Sequence, residues 1–262
     1  MFKNYLKIAW RNLLRNKGFS LINLLGLTIG ISCTIFMFLW VKDEIAFDKF
    51  HKNYDNVYQA MAHRDFNNTV FTDENMVFPL TQELQTGYPQ IKNAVVATQT
   101  QTSLVEYNHA KLSRDILYVS DGFFKVFSWK FIKGNAATAI TDPASVVLTQ
   151  SAAKSFFGDS DPINKVVKLN NSENYKVTAV IEDIPGNSTL RFDGIIPINF
   201  STPEAKRDMT EWVNSSWRVF IQAAPGVSEA QIGKIVGSVM RLHNTNDKVS
   251  TYFAFPMSKW HL

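Results

Sequence analysis

The chain holds a single cysteine, Cys33, in 262 residues. A lone thiol excludes an internal disulfide framework and a cysteine-rich zinc site, so packing must hold the fold. Glycine and proline are also scarce, at 12 and 9, against 45% hydrophobic and 19% charged residues. That balance excludes collagen-like and low-complexity chains and describes a folded protein of one large or two small domains. The five histidines, His51, His63, His109, His243 and His261, never stand three or four residues apart, so no spacing suggests a metal centre. Asp159 and Asp161 in GDSDP read as a solvated turn ahead of Pro162. A G-x-S-x-G elbow, a P-loop and a Rossmann glycine pattern are all missing. Nothing here argues for an enzyme, and no metal or cofactor is expected.

Charge is unevenly placed. Lys3, Lys7, Arg11, Arg15 and Lys17 give the first 18 residues five positive charges and no acid, whereas the rest carries 22 basic against 23 acidic residues. A nucleic-acid domain spreads its basic patch over a folded face, so nucleic acid is not an expected partner. The basic residues from Lys3 to Arg15 recur every fourth position, with Phe2, Tyr5, Leu6, Ala9, Trp10, Leu13 and Leu14 filling the other side. This pattern predicts an amphipathic helix over residues 1–17 lying on the anionic cytoplasmic leaflet.

From Gly18 to Val41 no side chain is charged, and the run Phe19–Val41 is 23 residues long. At 1.5 Å per residue it reaches roughly 35 Å, enough for a hydrocarbon core. The run ends in Lys42, Asp43 and Glu44 rather than a small-x-small site, so it reads as an uncleaved transmembrane helix over residues 18–41. The Lys and Arg excess before it predicts a cytoplasmic amino terminus. Within the span Asn23, Gly26, Gly30, Cys33 and Thr34 fall at spacings of three and four, with Gly26 and Gly30 forming a GxxxG pair. Small residues let helix backbones approach in lipid, so this face is expected to pack on another helix. No second uncharged run of similar length follows, and the partner is expected to be another chain.

Residues 42–262 read as an α+β domain of two subdomains, the second inserted near residues 88–120. Strands are predicted over 56–65, 95–105, 116–120, 145–148, 193–198 and 217–223, with a hairpin of 166–169 and 175–181. Helices are predicted over 79–86, 122–127 with Asp121 as N-cap, 150–157 capped by Thr149, and 228–242. Phe123, Phe124 and Phe127 are expected in the core.

The opening YLKIAWRNLLRNKGFSLINLLGLTIGISC (Tyr5–Cys33) followed by DEIAFDKFHKNYDNVYQ (Asp43–Gln59) resembles the start of MacB/FtsX-like ABC transporter permeases. DILYVSDGFFKVF (Asp115–Phe127), ASVVLTQSAAKSFFG (Ala144–Gly158), DPINKVV (Asp161–Val167) and YKVTAVIEDIPGNSTLRFD (Tyr175–Asp193) resemble that family's periplasmic core domain, in the same order. One departure is Phe78-Pro79, where the family has Thr-Pro. The resemblance implies a bacterial inner-membrane subunit with its main domain periplasmic, a homodimer or heterodimer partner, and a separate ATPase that would bind the ATP. In this reading the outer domain couples ATP-driven motion to export or extraction of a substrate. The alternative is a single-span, membrane-anchored periplasmic binding or sensor module. The chain ends at FPMSKWHL (Phe255–Leu262), about where the family's domain heads back to a second span, and a piece of a longer permease is the expected reading.

Overall fold

The computed structural model describes residues 2–66, 69–245 and 249–261; Leu262, at the end of the expected return segment, lies outside the described residues. The chain forms two compact units, Met1–Ala46 and Phe47–Leu262. The first contains α1 (Phe2–Arg15) and α2 (Lys17–Glu44). Asn16 separates them with φ −113° and ψ 56°, outside the helical region. Helix α2 has 28 residues, about 42 Å at 1.5 Å each, and runs beyond the expected 18–41 at both ends. None of its apolar window is buried, and among the described residues it alone is long and apolar enough to cross a membrane.

The second unit begins with β1 (Val57–Phe66), β2 (Thr69–Asp73), α3 (Pro79–Gly87) and β3 (Ile91–Ala97). Next come β4 (Gln101–Tyr107), β5 (Ala110–Val119), α4 (Phe123–Val126), β6 (Phe131–Lys133) and β7 (Ser145–Thr149). The chain continues through α5 (Gln150–Phe157), β8 (Val166–Leu169), β9 (Glu173–Ile181), β10 (Gly194–Pro197) and α6 (Pro203–Asp208). It finishes with β11 (Arg218–Ala223), α7 (Glu229–His243) and β12 (Ser250–Pro256).

Strands β3, β11, β1 and β12 lie side by side, each antiparallel to its neighbour. Their connectivity through α3 and α7 is the split β-α-β arrangement of ferredoxin-like folds. Alternation sorts each strand between two cores, as the pleat requires. Val219, Ile221 and Ala223 of β11 join Leu80 and Leu84 of α3 and Ile232, Val236, Val239 and Met240 of α7, while Phe220 turns to the opposite cluster. Ser228 starts α7 with a reciprocal capping box: its Oγ accepts from the Gln231 N–H, and its own N–H donates to Gln231 Oε1 at 2.9 Å.

Everything between β3 and β11 is an insertion, residues 98–217, whose strands pair in a closed circuit. β4 pairs β5, β5 pairs β10, β10 pairs β7, β7 pairs β9, β9 pairs β8, and β8 returns to β4. All six strands and α5 contribute to one apolar cluster that includes Val105, Ile116, Leu148, Phe156, Leu169, Val177 and Ile196. A second cluster joins the insertion to the four-stranded half through Val95, Phe123, Phe127, Trp129, Ile195 and Phe220.

Three expectations change. The single strand predicted over 95–105 is two strands: both pair with β5, the Thr98 N–H still donating to the Tyr118 carbonyl at 2.9 Å, but the register shifts by one residue between Ala97↔Val119 and Gln101↔Ile116, and β4 starts the insertion. The insertion therefore spans 98–217 rather than 88–120. Asp121 does not cap α4; Gly122 takes that place at φ 82°, a left-handed conformation open to glycine, and no side chain caps the helix. The expected Thr149 cap is present, its hydroxyl accepting from the Ala152 N–H at 3.3 Å.

Candidate membrane and helix-packing site

A helix advances 100° per residue, so α2 places Asn23, Gly26, Gly30, Cys33 and Thr34 within roughly 100° of its circumference. A Cβ built on Gly26 or Gly30 would meet nothing within 4 Å, so the shallow groove along this face is open within the chain. Thr34 donates its hydroxyl to the Gly30 carbonyl at 2.9 Å and Thr28 to that of Leu24 at 2.7 Å. Both hydroxyls are thus satisfied inside the helix, as an apolar surrounding demands. The Asn23 amide is exposed, with no partner among the described residues, and Cys33 is exposed as well. Large apolar side chains cover the rest of the helix, with Phe36 and Phe38 each 70% exposed.

On α1 the same arithmetic puts Lys3, Lys7, Arg11 and Arg15 within roughly 120° of one another, with Lys17 following at the first turn of α2. Tyr5, Trp10, Leu13 and Leu14 stand exposed; the side chains of Phe2 and Leu6, expected on this face, lie outside the described residues. An apolar face that no described residue covers, flanked by cations, suits the boundary between headgroups and acyl chains.

Among the described residues no group of three or more His, Cys, Asp and Glu could hold a metal ion. An open cleft of about 470 Å³ is lined by Asp121, Phe124, Lys125, Ile140 and Thr141 among others, without a convergent acid–base pair. The strongest titration anomalies are structural. Burial, then the hydrogen bond from the Tyr175 hydroxyl to Glu173 (2.8 Å), pushes the Tyr175 phenol up, and burial chiefly lowers His51 to about 4. Sequence spacing gave no notice of His51 or of buried Asp48 beside it. Their burial comes from residues 70 to 140 positions away, which no local pattern encodes.

A family model described as the MacB-like periplasmic core domain matches residues 20–238. No curated protein matches the chain in sequence. Crystal structures of other proteins share its fold, three of them as follows. A domain assigned to a permease protein from Porphyromonas gingivalis superposes with a TM-score of 0.66 at 19% identity, covering 79% of this chain and 92% of that one. The periplasmic region of MacB from Actinobacillus actinomycetemcomitans gives 0.55 at 15% identity, covering 78% and 90%. The extracellular domain of the noncanonic ABC-type transporter YknZ from Gram-positive bacteria gives 0.51 at 16% identity, covering 76% and 100%.

Proposed function

Because the chain belongs to the MacB-like periplasmic core domain family, we propose that it serves as the membrane subunit of an ABC-type transporter. Three parts divide the work: residues 1–17 on the cytoplasmic leaflet, 18–41 across the bilayer, and 42–262 outside. The basic stripe Lys3, Lys7, Arg11, Arg15 and Lys17 docks on anionic headgroups and keeps the amino terminus inside. The face of Asn23, Gly26, Gly30 and Thr34 packs against a helix of another permease chain in a homodimer or heterodimer. A partner ATPase supplies the motion that the outer domain converts into export or extraction of a substrate.

The observation that supports this reading most is a 28-residue apolar helix, none of its apolar window buried, leading into a domain matched by the family model. A helix so apolar in water would expose Phe19, Ile22, Phe36, Phe38 and Trp40, a patch far beyond the few hundred Å² that soluble monomers leave open. In lipid the same surface costs nothing. The test is purification of the full chain from its native membrane in mild detergent, with and without ATP. Recovery of an ABC ATPase subunit in stoichiometric amount supports the reading. Recovery of a monomer with no ATPase in either condition overturns it in favour of an anchored binding module.

A further inference from the structure

The segment that leads from the membrane helix into the outer domain is fastened by two buried polar residues. Only Ile45 and Ala46 separate the end of α2 from Phe47. Asp48 is 1% exposed and sits at φ 57°, a left-handed conformation uncommon for a residue with a side chain. Its N–H donates to the Asn187 carbonyl at 2.9 Å, and its Oδ1 accepts from the Thr189 N–H at 2.9 Å and the Ser188 hydroxyl at 3.2 Å. Three residues on, His51 is 2% exposed, with Nδ1 3.0 Å from the Ser128 nitrogen. The imidazole ring meets Trp129 edge-on at 5.0 Å and Phe127 at 5.4 Å. Lys52 N–H then donates to Ser128 Oγ, and Asn53 Nδ2 to the carbonyls of Lys125 (2.9 Å) and Val126 (3.0 Å).

All these partners belong to the insertion, although the segment runs covalently into β1 of the four-stranded half. We propose that Asp48 and His51 clamp residues 47–56 to loops 125–128 and 186–190, so that the segment entering from the membrane moves as one body with the insertion. Its purpose rests on the transporter reading; the clamp itself is a property of the fold. Both are positioning residues, and the clamp is released by acid.

Nδ1 lies 3.0 Å from the Ser128 nitrogen and 3.1 Å from the Ser128 carbonyl oxygen; in the neutral tautomer with its proton on Nε2 it accepts the Ser128 N–H. Protonation makes Nδ1 a donor, and that amide then loses its acceptor. Burial disfavours the cation and holds the His51 pKa at about 4, with the Asp48 carboxylate and then the Ser128 carbonyl, an acceptor for a protonated Nδ1, pulling the other way. Few other charges face the ring's surroundings. α4 brings exposed Lys125, Arg191 just past the second loop donates to the Gly186 carbonyl, and His261 stacks on Phe47.

Amide hydrogen exchange on the full chain in lipid nanodiscs, corrected for intrinsic rates, tests the clamp. Between pH 7 and pH 5 the opening equilibrium at Ser128 should rise about 20-fold, the ratio set by pKa values of 6.5 free and about 4 in place. Thr189 should follow it, while the amides joining β1 to β11 stay protected. His51→Asn keeps an acceptor for Ser128 and cannot titrate, so it should hold the pH 7 protection and abolish the pH step. His51→Ala should loosen 125–128 at pH 7. The proposal is overturned if native Ser128 shows no pH step, if the step survives in His51→Asn, or if β1 and β11 open in parallel. Should the alanine variant not fold, the native and asparagine profiles decide alone. No ATPase is present, so failure here leaves the transporter reading intact, and failure of that reading leaves the clamp.

Discussion

Helices α2 and α7 both carry two glycines four residues apart, and the two pairs meet opposite fates. In α7, a Cβ on Gly233 would lie 3.5 Å from the Ala254 nitrogen and 3.6 Å from the Phe253 Cα, so the missing side chain is where strand β12 packs close. In α2, the same construction on Gly26 and Gly30 meets nothing. One pair is already used by its own domain; the other meets no neighbour among the described residues. The remaining residues agree. Apolar positions of α7 converge on one buried face, at Ile232, Val236, Val239 and Met240, whereas those of α2 run round the whole helix and stay exposed. One-sided burial is the mark of water as solvent, and all-round exposure that of lipid.

The largest expected contrast comes from paired truncations of phenylalanine. Phe123→Ala empties a fully buried site between the halves of the outer domain and should cost about 3–5 kcal/mol in urea unfolding, whereas Phe36→Ala on α2 should leave that transition unmoved. Equal effects would erase the distinction between the two regions. Acid gives the next contrast. The folded pKa of His51 is depressed, so the unfolded chain binds the extra proton first. Stability is therefore complete above pH 6.5 and falls by about 3 kcal/mol as pH drops to about 4. The outer domain's denaturation midpoint should follow this, and His51→Asn should flatten it.

The glycine pairs sharpen the comparison further. Gly233→Ile should overpack the contact with β12 and cost about 1–3 kcal/mol by urea titration. The double change Gly26→Ile, Gly30→Ile should leave unfolding and membrane insertion alone and reduce association between spans in a crosslinking assay. Smallest is the cap. Ser228→Ala should cost about 1 kcal/mol, since it removes the acceptor for the Gln231 N–H; Asn16, which makes no side-chain cap bond on α2, should be replaceable by alanine at no measurable cost.

What could be read from the chain directly follows the same division. The long apolar helix was legible because no residue from Phe19 to Val41 is charged, and that Asn23, Gly26, Gly30 and Thr34 share one side of it follows from helical periodicity alone. Strands rich in β-branched and aromatic residues, such as β11 and β9, were legible too. The insertion boundary was not. Thr98–Thr100 holds no glycine or proline, and the break there is a one-residue shift of register against β5, from Ala97↔Val119 to Gln101↔Ile116. Strand β12 escaped notice, although Tyr252 and Ala254 alternate with Phe253 and Phe255, because its pattern is short and lies beside a stretch of Asn, Asp and Lys. Asp48 and His51 look like ordinary solvated residues until the distant loops at 128 and 188 close over them.

Cys33 is the chain's only cysteine and lies on the open face of α2, so a single labelling experiment reaches the central claim. The full chain in sealed membrane vesicles, of either orientation, is exposed to a membrane-impermeant maleimide and then again after detergent and denaturant. If α2 crosses the bilayer, Cys33 stays unlabelled from both sides until the membrane is dissolved. Rapid labelling in intact vesicles would place Cys33 in water and contradict it.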